Sequence, residues 1–403
     1  MRYLVVTEFW FDDLPGGASR VACDIARVMR DRGHQVSLLC YHSGNEAPDG
    51  RSQIDGIEVV RFRKMQLPSW HPRRLQAIVD AAAKACQRWL NAAPFDLLHV
   101  HTPLIGLGAI SALTRLWDRQ PRCVFTVHSP LVLEQEIVWR SQGWAGQLKM
   151  LLGGRLLASV ERRMLAAAES IHTLSEFTRA RLDEDYRVGS RVTVIPHWYS
   201  RINKGVSRVE ARCALGWPEK SRIFFTVRGM GPRYGLDVAI RALAPLLQDH
   251  DGYFFLAGDG HLRRNLETLA RRLDSEHRIR FMGRISDKDL ELAYAAADLF
   301  VLPTLALECF GLITPEAFAF GCPVLSTDAG AIPEVMEPVL PRMTVPAGDE
   351  KALRDKAREF LNGTIPVPNG QVLIDYASRR YGSTVVIPQL CRLLESAGFQ
   401  SPV

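Results

Sequence analysis

The sequence lacks the features that mark several classes of protein. No run approaches the length of about 18 apolar residues that a transmembrane helix needs. The first residues, MRYLVVTEFW, have the pattern of a strand and not of a signal peptide, which predicts a cytoplasmic protein. None of the eight cysteines belongs to a CxxC pair, so the sequence predicts neither a zinc site nor a disulfide framework.

The charge is also not concentrated. A formal net charge of +6 is modest for 403 residues, and the arginines are spread along the chain, so we expect no nucleic-acid partner. An anionic small molecule or an anionic membrane surface would suit this charge equally well. With 47% hydrophobic and 23% charged residues, the composition is that of an ordinary globular protein.

Short apolar runs alternate with longer amphipathic stretches, which predicts βαβ units and buried parallel sheets. The predicted strands are 3–6, 36–39, 97–100, 124–127, 192–195, 223–227, 253–257, 279–282, 299–302 and 324–326. The pattern restarts after an irregular polar interval at 196–221, so we predict two doubly wound domains joined there. The predicted domains are 1–200 and 201–375, and a C-terminal helix within 376–403 is expected to pack back on the first domain.

The loop after the first strand carries Gly16 and Gly17 and leads into a helix. Paired glycines let a ligand approach backbone amides, and a helix N-terminus favours an anion. Turns between strands and helices are also rich in glycine for geometric reasons. The motif alone leaves both interpretations open.

Three histidines follow or lie in the next strands. His99 and His101 point to the same face because side chains in a strand repeat every second residue. No cysteine or carboxylate with ligand spacing accompanies them, which favours hydrogen-bonded structural histidines over a metal site. We retain His101 as a ligand-facing candidate, and His128, at the end of a strand, as a candidate donor to a substrate hydroxyl.

Residues 228–235, RGMGPRYG, lie between a strand and a helix, where nucleotide-binding loops are found. The spacing is GxGxxxG, which differs from the GxGxxG of dinucleotide-binding domains. We predict a loop whose amides and two arginines, Arg228 and Arg233, face a diphosphate.

The most informative segment is LFVLPTLALECFGLITPEAFAFGCPVLST, at 299–327. A buried strand is followed by a loop with Glu308 and Gly311. Thr314 and Pro315 then predict a helix start, with proline in the first helical position, and Glu316 lies in the first turn. The helix is expected to stop at Gly321.

This arrangement offers two carboxylates eight residues apart and the backbone amides of Gly311, Leu312 and Ile313. An ionised Glu316 could accept paired hydrogen bonds from the vicinal hydroxyls of a ribose, and Glu308 could reach a sugar ring. The alternative is that Glu308 is a surface loop residue and Glu316 a helix-capping acid.

Glu308, Phe310, Gly311 and Glu316 match the pattern E-x-F-G-x-x-x-x-E, and the chain resembles glycosyltransferase family 4 over nearly its whole length. Further matches occur in the order typical of the family: the loop at 16–17, GHQV at 33–36, DLLHVHT at 96–102, SE at 175–176, IP at 195–196, LAGDG at 256–260, FMGR at 281–284 and AD at 297–298. The resemblance implies the α/β GT-B fold, in which two Rossmann-like doubly wound domains face an inter-domain cleft. It also implies a retaining hexosyltransferase (EC 2.4) that needs no metal and no cofactor beyond its nucleotide-sugar donor.

The resemblance also implies roles for single residues. Glu316 would hold the ribose, Glu308 the hydroxyls of the donor sugar, and the amides of Leu312 and Ile313 the diphosphate. His128 would lie near the 6-position of the sugar, and the backbone near Arg284 would contact the base. Gly258, in the matching LAGDG segment, falls in the donor site, and Gly16, Gly17 and His101 fall in the acceptor domain.

The chain departs from the family at the phosphate side of this site. The family carries G-R-L-x-x-x-K-G, and Gly229 and Tyr234 occupy the positions of its arginine and lysine. Loss of each cation facing a leaving diphosphate is comparable to electrostatic deletions that slow catalysis by about 10²-fold or more. Arg228 and Arg233 stand beside these positions, and we hypothesise that they substitute.

The sequence therefore predicts transfer of a hexose from a nucleoside-diphosphate sugar to a glycan, a glycolipid or a small polar acceptor. The alternative is a catalytically weak or silent GT-B protein that binds a nucleotide sugar or supports a partner transferase. Epimerisation or hydrolysis of the nucleotide sugar ranks below both.

Residues 129–169 mix basic, tryptophan and leucine residues. Helices packed on their own domain explain this composition best. Peripheral contact with the inner face of a membrane is the alternative.

Overall fold

The fold comes from a computed structural model that describes residues 1–14, 16–42, 50–63, 67, 73–140 and 143–395. Its contacts divide the chain into two compact units. Unit 1 comprises Met1–Ile195 and the residues from Ile387 onward, and unit 2 comprises Pro196–Val386. The predicted divisions lay at residues 200 and 375, whereas the units of the structure divide after Ile195 and after Val386.

Unit 1 is built on one sheet in the strand order β3-β4-β2-β1-β5-β6-β7-β8. The strands are β1 Arg2–Val6, β2 Gln35–Tyr41, β3 Gly50–Ile54, β4 Ile57–Phe62, β5 Leu97–Val100, β6 Arg122–Val127, β7 Ser170–Thr173 and β8 Val192–Val194. The helices that begin in this unit are α1 Gly17–Asp31, α2 Arg74–Trp89, α3 Pro103–Leu116, α4 Leu131–Arg140, α5 Gly143–Ala167 and α6 Glu176–Tyr186. The apolar core lies on this sheet, where Leu4, Val6 and Val100 are fully buried.

An antiparallel hairpin at the edge of this sheet was not predicted. Strands β3 and β4 pair around Asp55 and Gly56, both of which have positive φ (51° and 74°). Such a conformation at both central residues is typical of the Asp-Gly turns that match the twist of a hairpin. The other strand pairs of unit 1 are parallel.

Unit 2 has a parallel sheet in the order β11-β10-β9-β12-β13-β14. Its strands are β9 Arg222–Val227, β10 Gly252–Ala257, β11 Ile279–Gly283, β12 Leu299–Leu302, β13 Val324–Thr327 and β14 Thr344–Val345. Its helices are α7 Arg208–Leu215, α8 Leu236–Asp249, α9 Arg263–Arg272, α10 Asp287–Ala296, α11 Ile313–Ala319, α12 Ile332–Met336, α13 Glu350–Leu361 and α14 Gly370–Tyr381. Two α/β units with these sheets confirm the predicted fold class.

The polar interval at 196–221 is not irregular throughout. Helix α7 lies within it, and Ser207 is its N-cap: the Ser207 hydroxyl accepts from the amide of Glu210, and the Glu210 carboxylate accepts from the amide of Ser207. This reciprocal capping box and Gly216 at the helix end define a short helix that we did not predict.

The last described helix, α15 (Ser383–Glu395), begins in unit 2, and its residues from Ile387 belong to unit 1. There Arg122 donates to the carbonyl oxygens of Leu393 (2.8 Å) and Leu394 (2.9 Å). Arg32 forms an ion pair with Glu395 at 2.7 Å. The C-terminal part of α15 therefore packs on unit 1.

Candidate functional site

Each sheet has a point at which the strand order reverses. In unit 2 the chain winds outward from β9 on one side and from β12 on the other. In open α/β sheets, ligands bind outside the carboxyl ends of the strands at such a point. The two loops that leave these strand ends, 228–235 after β9 and 303–312 after β12, carry the predicted Arg228, Arg233 and Glu308.

The loop 228–235 is fixed by close backbone contacts on both sides. A Cβ atom at Gly258 would lie 1.9 Å from the carbonyl oxygen of Arg228, and one at Gly235 would lie 1.9 Å from that of Pro303. Both glycines also have positive φ. Only glycine allows these approaches, so the structure gives Gly258 a packing role beside the candidate site.

The two loops are joined by an ion pair. Arg228 donates to Glu308 at 2.5 Å and also to the hydroxyl of Thr304, whose own distance to the Glu308 carboxylate is 3.3 Å. The side chains of Arg228 and Glu308 are 5% and 17% exposed. Because the pair is largely shielded from water, it holds the Glu308 carboxylate in one position.

Tyr234 lies beside both arginines of the loop. The guanidinium carbons of Arg228 and Arg233 lie 4.6 Å and 4.9 Å from the centre of the Tyr234 ring. Arg233 also donates to the Tyr234 hydroxyl and to the carbonyl oxygen of Leu307, each at 3.2 Å. The tyrosine at the position of the family's lysine thus contacts two cations.

Glu316 is buried with partners that we did not predict. One carboxylate oxygen accepts from Arg201 at 2.6 Å, and the other accepts from the hydroxyl of Tyr294 at 3.1 Å. Arg201 also binds Asp287 at 2.5 Å. Burial opposes the charged form of Arg201, but the nearby charges of Glu316 and Asp287 outweigh that effect and raise its pKa.

Arg201 was missed because it lies 115 residues from Glu316, in the interval interpreted as a linker. It is 5% exposed, and its Nε atom has no hydrogen-bond partner among the described residues. Burial of an arginine in a polar sequence interval leaves no local signal that sequence analysis could detect.

The helix that carries Glu316 begins earlier than predicted. Leu312 is its N-cap and α11 spans Ile313–Ala319, so Pro315 is its third residue and not its first. The amide of Thr314 bonds to the carbonyl oxygen of Gly311 at 2.8 Å, so the chain is already turning before Thr314. Glu316 still falls in the first turn.

The remaining donor-site candidate, Arg284, is exposed and follows β11 directly. The amide of Gly258 bonds to the carbonyl oxygen of Gly283 at 2.7 Å, which joins the loops after β10 and β11. Arg284 therefore lies at the same edge of the sheet as the loops 228–235 and 303–312.

Unit 1 has its own reversal of strand order, between β1 and β5. His101 follows β5 and His128 follows β6, and their ring nitrogens are 2.8 Å apart. Gly16 and Gly17 begin α1, and an added Cβ would meet nothing within 4 Å at either position. Packing therefore does not require glycine there, and the structure brings the two histidines together.

His99 is fully buried in a chain of hydrogen bonds. His172 Nε2 donates to the carbonyl oxygen of Ile195 at 2.9 Å, and the hydroxyl of Thr126 lies 2.8 Å from His172 Nδ1 and 2.7 Å from His99 Nε2. His99 Nδ1 lies 2.5 Å from the Tyr3 hydroxyl. Burial, with His172 as the next cause, lowers the pKa of His99 well below its usual value, so His99 has a structural role as a neutral residue.

In the described part of the chain, no group of three or more His, Cys, Asp or Glu side chains is placed to hold a metal ion. Within the same residues, no helix is both long and apolar enough to cross a bilayer.

Two family models match the chain: Glycosyltransferase Family 4 over residues 15–200 and Glycosyl transferases group 1 over residues 207–380. The phosphatidyl-myo-inositol mannosyltransferase of Mycobacterium leprae is 28% identical over 98% of this chain and 97% of its own length. An uncharacterized glycosyltransferase of Methanocaldococcus jannaschii is 28% identical over 84% of the chain and 83% of its own length.

Solved structures show the same fold. The sucrose-phosphate synthase of Thermosynechococcus elongatus superimposes with a TM-score of 0.79 at 20% identity and covers 99% of this chain and 100% of its own. HepE of Anabaena, in complex with UDP and glucose, gives a TM-score of 0.73 at 19% identity, with 98% and 100% covered. With both units matched by family models and the whole chain matched by these folds, the protein belongs to glycosyltransferase family 4 and is a hexosyltransferase with the two-domain GT-B fold.

Proposed function

We propose that the protein transfers a hexose from a nucleoside-diphosphate sugar to a hydroxyl-bearing acceptor, with retention of the anomeric configuration and without a metal. One observation carries the proposal: Glu308 and Glu316 are each held by an arginine at the strand-order reversal of unit 2. Fixed carboxylates suit the recognition of neutral sugar hydroxyls, because a preorganised acceptor loses little entropy when the ligand binds.

In this proposal Glu316 binds the ribose and Glu308 binds the donor sugar. A carboxylate has about four acceptor positions. Arg201 and Tyr294 each bond to one oxygen of Glu316 and fix the orientation in which this carboxylate meets a vicinal diol. Arg284 and the backbone at 311–313 complete the donor side, and Gly258 packs beside it against Arg228.

The transfer step breaks the bond between the anomeric carbon and a phosphate oxygen. The acceptor oxygen forms the new bond on the same face of the sugar, and its proton passes to the departing diphosphate. Negative charge grows on the diphosphate in this step, so the cations of the loop 228–235 supply the stabilisation. Arg228 and Arg233 are the candidates for this role.

The carboxyl edge of unit 1 is proposed to bind the acceptor. In addition to His101, His128 and the glycines of α1, it contains Thr7 and Ser129. Their buried hydroxyl oxygens have no hydrogen-bond partner among the described residues. Buried polar atoms left without partners are costly, and an acceptor rich in hydroxyl groups would satisfy them.

We expect the purified protein to release nucleoside diphosphate from one donor among UDP-glucose, UDP-galactose, GDP-mannose and ADP-glucose. Release should rise at least about tenfold when a suitable acceptor is added, because transfer replaces slow hydrolysis. Acceptors to be tested include phosphatidyl-myo-inositol, the acceptor named for the mycobacterial relatives.

Two controls test the finer points of this prediction. Proton NMR of the product should show the anomeric configuration of the donor, and EDTA should leave the rate unchanged. An inverted product would contradict retention, loss of activity with EDTA would contradict the metal-free reaction, and failure of every donor to bind would contradict the proposal as a whole.

We also propose that unit 1 lies on an anionic membrane surface through α4 and α5. Four of the nine exposed large hydrophobic side chains in the described residues fall within 138–156: Val138, Trp144, Leu151 and Leu156, at 47%, 81%, 75% and 48% exposure. The same segment has three basic residues and no acidic one. Trp144, Leu151 and Arg155 share one face of α5, and the buried Leu157 and Met164 lie on the opposite face. An exposed apolar face flanked by basic residues is typical of helices that lie in a lipid interface.

Replacing Trp144 and Leu151 together by serine is expected to weaken vesicle binding at least about tenfold, because each loses about 1.5–3 kcal/mol of apolar burial. The measurement is co-flotation with vesicles of phosphatidylcholine, with and without phosphatidylglycerol. A matched control replaces Val209 and Val372, exposed by 54% and 43% in unit 2, by serine. Equal effects of the two double variants, or equal binding to both kinds of vesicle, would exclude this surface.

A further inference from the structure

Two departures from the family pattern lie in contact with each other. The ring of Tyr234 passes so close to Gly229 that a Cβ atom there would lie 3.3 Å from its Cε2 atom. This is tighter than an ordinary van der Waals contact, and a longer side chain at position 229 would have to displace the ring. An arginine at this position therefore requires the ring of Tyr234 to move by a few tenths of an ångström or more.

We propose that Gly229 and Tyr234 form a matched pair that replaces the family's arginine and lysine with a different phosphate-binding arrangement. Gly229 makes room for the ring, and Tyr234 acts as a positioning residue that orients the guanidinium group of Arg233 toward the leaving diphosphate. This inference rests on the proposed function and names the residues that stabilise its leaving group.

The contacts of Arg228 and Arg233 assign them different tasks. Arg228 is almost fully buried and bound to Glu308, so its charge is offset and its main effect is to fix that carboxylate. Arg233 is half-buried and is held by the Tyr234 ring, the Tyr234 hydroxyl and the carbonyl oxygen of Leu307. These three contacts orient the guanidinium group of Arg233, which is less buried than that of Arg228.

An arginine held in this way suits a diphosphate. Contact with an aromatic ring limits the orientations of a guanidinium group, whose N–H donors can bind phosphate oxygens in a bidentate manner. Prior ordering also reduces the side-chain entropy that binding would cost. A lysine at position 234 would supply a point charge on a flexible side chain. The family's lysine and the Arg233 of this chain, supported by Tyr234, therefore place positive charge near the diphosphate in different ways.

Backbone contacts of the loop 228–235 hold Gly229 and Tyr234 in place. The carbonyl oxygen of Arg233 accepts from the amide of Leu305 at 2.8 Å, and Gly235 packs against Pro303 with no room for a side chain. The chain on both sides of Tyr234 is thus tied to the loop 303–312.

The test is a double-mutant cycle that restores the family pattern in two steps. Gly229→Arg alone should lower kcat/KM by about 10²-fold, because the new side chain meets the Tyr234 ring and disturbs Arg233. Tyr234→Lys alone should cost about tenfold, because Arg233 loses its support while a new cation partly compensates. The kcat/KM of the double variant should return to within a few-fold of the wild-type value. The new arginine then no longer meets the Tyr234 ring, and both cations of the family pattern are present. Independent effects, which would multiply in the double variant, would overturn the inference.

Binding measurements separate orientation from a general loss of structure. Tyr234→Leu should weaken UDP or GDP, whichever the wild type binds, by about tenfold more than the corresponding monophosphate, whereas Tyr234→Phe should keep most of the preference. An unchanged diphosphate preference in Tyr234→Leu would contradict the role of the ring. If Gly229→Arg does not fold, Gly229→Ala tests the same contact with a single methyl group, and thermal unfolding verifies each variant.

Failure of this inference is distinguishable from failure of the proposed function. If the wild type binds no nucleoside diphosphate and transfers no sugar, the proposed function itself is wrong. If the wild type binds and transfers but the substitutions act independently, only the matched pair is wrong.

Discussion

Replacing Arg201 by leucine is expected to lower the free energy of unfolding by about 3–5 kcal/mol, one of the largest effects of a single substitution in this chain. The side chains of Arg201 and Glu316 are each 6% exposed and form an ion pair at 2.6 Å. Removal of the cation takes away the charge partner of a buried carboxylate, and the neutral hydroxyl of Tyr294 does not replace it. Asp287, the second partner, has a side chain that is 78% exposed and can be hydrated instead.

A matched control lies seven residues further along the chain. Arg208 pairs with Asp298 at 2.9 Å, but the arginine side chain is 50% exposed. Replacing Arg208 by leucine should cost no more than about 1 kcal/mol, because water screens the half-exposed arginine and the buried Asp298 keeps its ion pair with Arg212 at 2.7 Å. Urea unfolding followed by circular dichroism measures both variants, and equal losses of stability would contradict the importance of burial.

A second variant distinguishes a lost ion pair from a lost packing contact. Replacing both Arg201 and Glu316 by leucine removes the buried charge as well as its partner and should restore most of the stability. The same double variant should not bind a nucleotide sugar, because the proposed ribose ligand is gone. If the double variant is as unstable as Arg201→Leu, then packing and not charge explains the effect.

The sequence was sufficient to predict much of the fold for a physical reason. Parallel strands that are covered on both faces read as uninterrupted apolar runs, and β1, β12 and β13 are buried along nearly their whole length. The edge strand β3 alternates between exposed and less exposed residues and has no apolar run. Its hairpin could still have been found from Asp55 and Gly56, since Asp-Gly between two alternating segments is a strong hairpin signal.

Some residues of the candidate site could also be predicted from the sequence, and others could not. Glu308 and Glu316 could be selected from the sequence, because a loop and a helix start place them at one strand end and their spacing is local. Arg201 and Tyr294 could not, since they reach Glu316 only through the fold. The contact between Gly229 and Tyr234 was also not visible in the sequence, although both positions were recognised as departures from the family.

The first turn of α11 shows where local rules fail. Proline at the first helical position is the common case. Here the chain enters the helix at Ile313, because the amide of Thr314 already bonds to Gly311 and the amide of Glu316 bonds to Leu312. Proline is tolerated as the third residue since the first amides of a helix have no partner within it. The boundary was therefore misplaced while the position of Glu316 in the first turn was predicted correctly.

Replacing Glu316 by glutamine is expected to weaken nucleotide binding by about 10- to 100-fold, because hydrogen bonds from ribose hydroxyls to a charged acceptor contribute about 1.5–3 kcal/mol. Glutamine keeps an oxygen for Arg201 and so limits the structural change. Calorimetry with UDP or GDP measures the loss, and the corresponding 2′-deoxy nucleotide shows whether the ribose is involved. Removal of the 2′-hydroxyl should weaken nucleotide binding to the wild type. The same removal should change the affinity of Glu316→Gln little.

The control for this experiment is Glu308→Gln, which removes the other carboxylate of the site. Because Glu308 is proposed to contact the donor sugar, this variant should bind UDP or GDP within a few-fold of the wild type. Its kcat with the complete nucleotide sugar should fall about 10²-fold, since a contact to the reacting sugar matters most in the transition state. If Glu308→Gln weakens the nucleotide and Glu316→Gln does not, the two carboxylates have exchanged roles. If removal of the 2′-hydroxyl weakens binding to Glu316→Gln as much as it weakens binding to the wild type, Glu316 does not hold the ribose.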